Sequence, residues 1–192
     1  MKTRVLILGI IGALVLCGHV IASAKDKPQV DVGILSHAAL APPERSDEKA
    51  YLGLASGKAF SLPQIAGDVL IVEIFSMYCP ICQREAPKVN ELHKMLEKDP
   101  ALKGKYKILG IGIGNTPFEV DVFRKKFEVT FPLVPDEDYT LEKAFSEKLR
   151  TPTFVVLKKD KGKGLKLVDV HVGNIEDMGK YLRDVAQAGN RK

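Results

Sequence analysis

Val69-Leu70-Ile71-Val72-Glu73-Ile74-Phe75 runs into Ser76-Met77-Tyr78-Cys79-Pro80-Ile81-Cys82, and this stretch decides the fold. The first seven residues are apolar apart from Glu73. A near-continuous apolar run of strand length reads as a central strand buried on both faces, since a strand with one wet face would alternate. After Pro80 the pattern changes. Ala86, Val89, Leu92 and Leu96 recur at three- and four-residue spacing, which marks one face of a helix. Pro87 lies inside that helix and should kink it. The unit is therefore a buried strand, a short loop, a cysteine pair and a helix.

Downstream, Tyr106 to Ile113 reads as a second strand ended by Gly114-Asn115. Thr116-Pro117-Phe118-Glu119 supplies a helix cap, a proline at the first helical position and a Glu three after the cap. That helix should reach about Phe127. Thr130 to Val134 reads as an edge strand, because Pro132 lacks the N–H a central strand needs. Leu141, Ala144 and Phe145 suggest a short helix. Thr153 to Leu157 and Leu165 to Val172 read as strands joined by a basic, glycine-rich turn from Lys158 to Gly164. Asn174 is expected to cap a final helix with Ile175, Met178, Leu182 and Val185 on one face. Upstream, Gly53 and Gly57 punctuate Tyr51 to Leu62 as a short hairpin. The class is α/β: a central mixed β-sheet flanked by helices, with a short N-terminal β-hairpin extension.

The chain of 192 residues is 45% hydrophobic and 28% charged, with mean hydropathy −0.02. These values exclude wholesale disorder and a polytopic membrane protein. Residues 1–24 form a separate object. Lys2 and Arg4 precede an apolar stretch from Val5 to Cys17, and Ala22-Ser23-Ala24 follows. This is the pattern of a cleaved export signal; the other reading is an uncleaved N-terminal membrane anchor. Lipidation at Cys17 is disfavoured by Leu16, where a small residue is expected. Cleavage would leave residues 25–192 with formal charge +3 and only Cys79 and Cys82 as cysteines. Residues 25–50 are polar and carry Ala41-Pro42-Pro43-Glu44-Arg45, so they read as a flexible leader. The domain then spans 51–188, with a tail at 189–192. The basic residues are scattered without interleaved aromatics, so nucleic acid is not an expected partner.

Two cysteines two residues apart in an exported chain point to redox chemistry, because the compartment lets a dithiol cycle. A thiol at a helix start meets unpaired N–H groups and the positive end of the dipole. Its pKa falls and its thiolate becomes available at neutral pH. The second cysteine, one turn in, can attack a mixed disulfide formed by the first. Cys79 is thus read as the attacking thiol and Cys82 as the resolving one. A purely structural disulfide here would close too short a loop to constrain the unfolded chain much. A zinc site would need two more ligands. His37, His93 and His171 remain, and His93 is 11 residues beyond Cys82 on the same helix, about 16 Å along its axis.

The run Phe75 to Pro87, with its C-x-x-C-x-x-E-x-P spacing, resembles the active-site segment of TlpA-like thiol–disulfide oxidoreductases. These are exported thioredoxin-fold proteins that include ResA-like and DsbE-like members. Phe60-Ser61-Leu62-Pro63 through Gly67 resembles the family's entry segment, and Arg150-Thr151-Pro152-Thr153-Phe154 resembles its cis-proline loop. The resemblance covers about Leu54 to Val185. It implies a thioredoxin-like fold with no cofactor and no metal, and a redox disulfide between Cys79 and Cys82. It implies a cis Thr151–Pro152 bond opposite Cys79, with Tyr78, Pro80, Thr151 and Pro152 meeting the substrate. It further implies reduction of disulfides in exported, cysteine-bearing proteins such as apocytochromes. Electrons would come from a membrane-bound donor, in the periplasm or at the outer face of the cytoplasmic membrane.

Two carboxylates accompany the pair. Glu73, six residues before Cys79, stands where thioredoxin resembles it in having a buried Asp and TlpA-like proteins often have Asn. Buried, it would have a raised pKa and could relay a proton to Cys82; otherwise it is a strand-end Glu reaching solvent. Glu85, three after Cys82, is either the acidic residue that the family implies near the thiols or a helix-surface Glu. Tyr78 replaces a frequent Trp, which changes the surface and leaves the chemistry. A Sco-like copper chaperone using Cys79, Cys82 and His171 is the alternative from another class, although that family spaces its cysteines by three. A disulfide-donating oxidase is the other. A thiol peroxidase would leave Cys82 surplus. Gly110, Gly112 and Gly114 fail the dinucleotide pattern at Asn115, and Lys158 to Lys163 reads as a solvated turn able to meet an anionic partner or lipid headgroups.

Overall fold

A computed structural model describes residues 27–55, 57–160 and 162–190. The expected export signal at 1–24 lies outside them, as do the last two residues of the expected tail. Among the described residues no helix is long and apolar enough to cross a membrane.

The elements in chain order are α1 (Val32–His37), α2 (Ser46–Leu52), a 3-10 turn (Leu62–Gln64), β1 (Val69–Phe75), α3 (Pro80–Lys98), β2 (Tyr106–Ile113), α4 (Pro117–Lys126), β3 (Leu133–Asp136), a second 3-10 turn (Thr140–Ala144), β4 (Thr153–Asp160), β5 (Gly164–Val172) and α5 (Met178–Asn190). The five strands form one sheet in the order β3-β2-β1-β4-β5. β1, β2 and β3 run parallel, while β4 is antiparallel to both β1 and β5. β1 is central and every one of its residues is buried, as its apolar run requires. β3 is an edge strand, starting just after Pro132, whose carbonyl accepts from Gly110 N–H at 2.9 Å. α4 carries the full capping box of Thr116 and Glu119.

The alternation of β1 sorts two cores. Val69, Ile71 and Phe75 face one layer with Val89, Leu92 and Leu96 of α3, Phe123 of α4 and Leu182 and Val185 of α5. Leu70, Val72 and Ile74 face the other, where no long helix lies. That second face is covered by Leu35, Leu40, Leu52, Leu62 and Ile65, together with Leu141 of the second 3-10 turn.

This corrects the reading of residues 25–50 as a flexible leader. From Val30 on the segment is packed. Asp31 caps α1 through its side chain, and Leu35 is 1% exposed. The physical cause is the uncovered sheet face, which sparse apolar residues of a polar segment suffice to fill. Among the described residues of 51–62 the expected hairpin does not form either. α2 ends at Leu52 with Gly53 in the left-handed region, and Phe60 makes a single antiparallel bridge to Leu40. The final helix starts at Met178 rather than at Asn174: Asp177 Oδ1 accepts from Lys180 N–H at 2.8 Å, so Asp177 does the capping. α3 runs unbroken through Pro87.

Candidate active site

The parallel strand β1 delivers the chain to the loop Ser76–Tyr78, and this loop is held from both sides. Met77 N–H donates to Asn115 Oδ1 at 2.8 Å, and Gln83 Nε2 donates to the Met77 carbonyl at 2.7 Å. Cys79 N–H donates to the Ser76 carbonyl at 3.0 Å. Cys79 is therefore fixed as the N-cap of α3, with Pro80 in the first helical turn where its missing N–H costs nothing.

Cys79 is half-buried, and its Sγ accepts from Cys82 N–H at 3.2 Å. Burial pushes its pKa up. Hydrogen bonds from Cys82, Thr151 and the backbone at Ile81 and Cys82 outweigh that and bring the pKa below the ordinary thiol value. Cys82 is fully buried in the core with α3. Burial, then the bond shared with Cys79 and the charges on Cys79 and Glu73, hold its thiol strongly protonated. Both cysteines are free thiols here.

Glu73 has the same parity as Ile71 and Phe75, so it points beneath α3. It is 2% exposed, and its Oε1 has no hydrogen-bond partner among the described residues. Burial, then the negative charges of Glu85 and Cys79, push its pKa up to about 8. Of the two readings offered by the sequence, the structure gives the buried one. Glu85 is also 2% exposed, so it is no surface residue. Its Oε1 accepts from Ile175 N–H at 2.7 Å and its Oε2 lies 3.3 Å from Lys88 Nζ. Lys88 Nζ also donates to the Ile175 carbonyl at 3.1 Å. Glu85 thus joins α3 to the segment leading into α5.

The Thr151–Pro152 peptide bond is cis. It places the Thr151 carbonyl 3.2 Å from Cys79 Sγ. Pro152 is buried, and its carbonyl accepts from Gly173 N–H at 2.8 Å, which anchors the loop to the end of β5. Tyr78 is 66% exposed, and its hydroxyl donates to Glu119 Oε1. Cys79, Cys82, Glu73, Tyr78, Pro80, Thr151 and Pro152 therefore gather at one end of the sheet, with Glu85 behind them.

His171 does not join them. Its Nε2 lies 2.9 Å from the Asn174 carbonyl and its ring meets Tyr181 edge-on. Among the described residues no three His, Cys, Asp or Glu side chains gather to hold a metal. The copper alternative with Cys79, Cys82 and His171 is thereby corrected.

Asn115 was not singled out for the site by the sequence reading. It is fully buried after Gly114, whose φ is +62° and where a Cβ would collide with the Tyr139 ring. The available signal is its place: a polar residue just past a buried strand beside the one that leads to the cysteines.

A thioredoxin-type dithiol at a helix start, one thiol accessible and one buried, facing a cis-proline loop, defines a thiol–disulfide oxidoreductase. The sequence pattern of the AhpC/TSA family matches residues 48–163, and the chain belongs to that family. It is 25% identical over 129 residues to the thiol-disulfide oxidoreductase ResA of Geobacillus thermodenitrificans, covering 67% of this chain and 70% of that protein. Among solved structures it is similar to a secreted Mycobacterium tuberculosis disulfide oxidoreductase homologous to Escherichia coli DsbE. That match has TM-score 0.55 and 17% identity, over 81% of this chain and 98% of the other. It is also similar to StoA from Bacillus subtilis, with TM-score 0.52 and 21% identity, over 67% and 89% of the two chains.

Proposed function

We propose that the protein reduces disulfides of exported, cysteine-bearing proteins, apocytochromes among the candidate substrates, and is recharged by a membrane-bound electron donor. The observation that carries this reading is the pairing of unequal thiols. Cys79 is accessible at a helix N-terminus with a lowered pKa, and Cys82 is buried with a raised one.

In the proposed cycle the Cys79 thiolate attacks one sulfur of the substrate disulfide. A Cys79–substrate disulfide forms and one substrate thiolate leaves, to be protonated by solvent. This removes the Cys79 negative charge, one of the three causes that hold the Glu73 pKa up. Glu73 then ionises more readily, gives its proton through solvent to the departing substrate thiolate, and as a carboxylate takes the proton of Cys82. The Cys82 thiolate attacks Cys79 Sγ and releases the second substrate thiolate, which recovers a proton. The substrate has gained two electrons and two protons, and the Cys79–Cys82 disulfide carries the oxidation. Tyr78, Pro80 and the Thr151–Pro152 backbone border Cys79 and would position the incoming peptide.

The lowered pKa of Cys79 stabilises the reduced form, whereas burial keeps Cys82 from adding a second thiolate, and the reductase direction is taken from the resemblance of the Cys79–Cys82 segment to the TlpA-like reductases. The location that fits is the outer face of the cytoplasmic membrane or the periplasm, with residues 1–24 as export signal or anchor. Equilibration against glutathione buffers, read by thiol alkylation and mass, tests the direction. A reductase sits at a clearly negative potential, and a value near about −120 mV would make the protein a disulfide donor instead.

A further inference from the structure

The end of the domain opposite the dithiol is formed by the loop after α3, the start of β2, the β4–β5 turn and the end of α5. Lys98 closes α3, about 27 Å along the helix axis from Pro80. Lys103, Lys105 and Lys107 follow, and Lys158, Lys159, Lys163 and Lys166 flank the turn. These eight lysines face four acids: Asp68, Glu97, Asp99 and Asp160. An open cleft of about 720 Å³ lies among them, lined by Lys105, Lys158 and Lys159 beside Asp68 and Asp160.

At the dithiol end exposed Glu137, Asp138, Glu147, Glu176 and Asp177 are matched by exposed Arg84, Lys143, Lys148, Arg150 and Lys180, so no comparable excess of one sign arises there.

Several lysines of the pole serve the fold. Lys107 lies 4.1 Å from the Tyr51 ring centre, Lys159 donates to the Ile65 carbonyl and Lys105 donates to Asn190 at 3.3 Å. Lys98, Lys103, Lys163 and Lys166 are exposed and form no ion pair among the described residues. None of the exposed large apolar side chains (Ile34, Tyr78, Ile81, Phe118, Tyr139) lies in the segments that form this pole. A protein interface would want an aromatic or aliphatic centre, and single-stranded nucleic acid would want stacking rings. Clustered lysine without either suits a surface read by charge alone.

We propose that this lysine pole docks on an anionic lipid bilayer and so holds the domain at the membrane surface. Flexible ammonium groups reach phosphate headgroups without leaving water, and their attraction adds within a Debye length of about 10 Å. The proposal is independent of the direction of electron flow.

The test is partition of the full chain onto vesicles of phosphatidylcholine alone, and of phosphatidylcholine with about 30 mol % phosphatidylglycerol. Any apolar N-terminal insertion acts on both vesicle types, so the ratio of the two is the readout. We expect at least a tenfold preference for the anionic vesicles at low salt, removed by high salt. The combined variant Lys98→Ser, Lys103→Ser, Lys163→Ser, Lys166→Ser should lose most of that preference while keeping its circular dichroism and its insulin-reduction activity. The control variant Lys148→Ser, Arg150→Ser, Arg84→Ser should keep the preference. Equal partition onto both vesicle types overturns the proposal. An equal loss in the control assigns the effect to net charge and overturns it too. Retention on a polyglutamate resin without any vesicle preference would assign the pole to an acidic protein instead.

Discussion

Glu73→Gln should remove the part of the pH-dependent stability that Glu73 carries. The Glu73 carboxyl has its pKa pushed up to about 8 by burial, aided by the charges of Glu85 and Cys79. In the unfolded chain it returns to about 4.3. The folded state thus holds a proton that the unfolded state releases across this window. Stability is greatest below the unfolded value and falls as pH rises, by about 1.4 kcal/mol per pH unit, until about pH 8, where it levels off. The full span is about 5 kcal/mol, an order-of-magnitude figure. A Gln in the same place carries no charge, so it removes the slope. Its amide adds a constant cost of about 1–3 kcal/mol for unmet hydrogen bonds. The assay is urea unfolding of Cys79→Ser proteins with and without Glu73→Gln, at three pH values between 5.5 and 7.5, a background without the low-pKa thiol. Losing Cys79 removes only the last of the three causes. Relative to the Glu73 protein, the Gln variant should gain stability with rising pH. A difference between the two that does not change with pH would refute a buried, protonated Glu73.

Iodoacetamide should label Cys79 and leave Cys82 untouched in the folded, reduced protein, with the Cys79 midpoint below the ordinary thiol value of about 8.5; mass mapping at graded pH checks both. Asn115→Ala leaves the Met77 N–H without its acceptor and should cost about 1–3 kcal/mol in urea unfolding while lowering insulin reduction. Arg124→Ala leaves the buried Glu48 only the more distant Arg45 at 3.9 Å and frees the carbonyls of Phe131 and Leu133, which should cost about 3–5 kcal/mol; Arg124→Lys should recover only part of it.

What could be read from the sequence was what periodicity and local chemistry encode. β1 and β2 carry apolar runs of strand length, and Thr116-Pro117-Phe118-Glu119 writes its own cap, so these elements appear where expected. Cys79 and Cys82 declare themselves by spacing. The packing of the N-terminal segment is not legible in its sequence, because its burial is a tertiary matter. Leu35 and Leu40 gain their value from a sheet face left bare by α3, α4 and α5, which pack on the other side, and nothing local announces that. Asn174 is a sound cap residue by type, yet its carbonyl is engaged by His171, and Asp177 takes the role three residues later. Asn115 and Lys88 act on loops 38 and 87 residues away, a distance over which no pattern in one sequence reports.

Four groups able to carry negative charge converge behind one helix start: Glu73, Cys79, Cys82 and Glu85. Water is largely excluded there, so each charge needs a donor from the fold. Cys79 receives the N–H of Cys82 at the start of α3. Glu85 receives Ile175 N–H and the Lys88 ammonium. Cys82 sits in an apolar wall and keeps its proton. Glu73 Oε1 has no hydrogen-bond partner among the described residues, so burial wins and its carboxyl is the group left to hold a proton near neutral pH. A donor placed beside Glu73 would lower its pKa and remove that proton. Its role in the proposed cycle therefore follows from the groups that the fold withholds from it as much as from those it supplies to its neighbours.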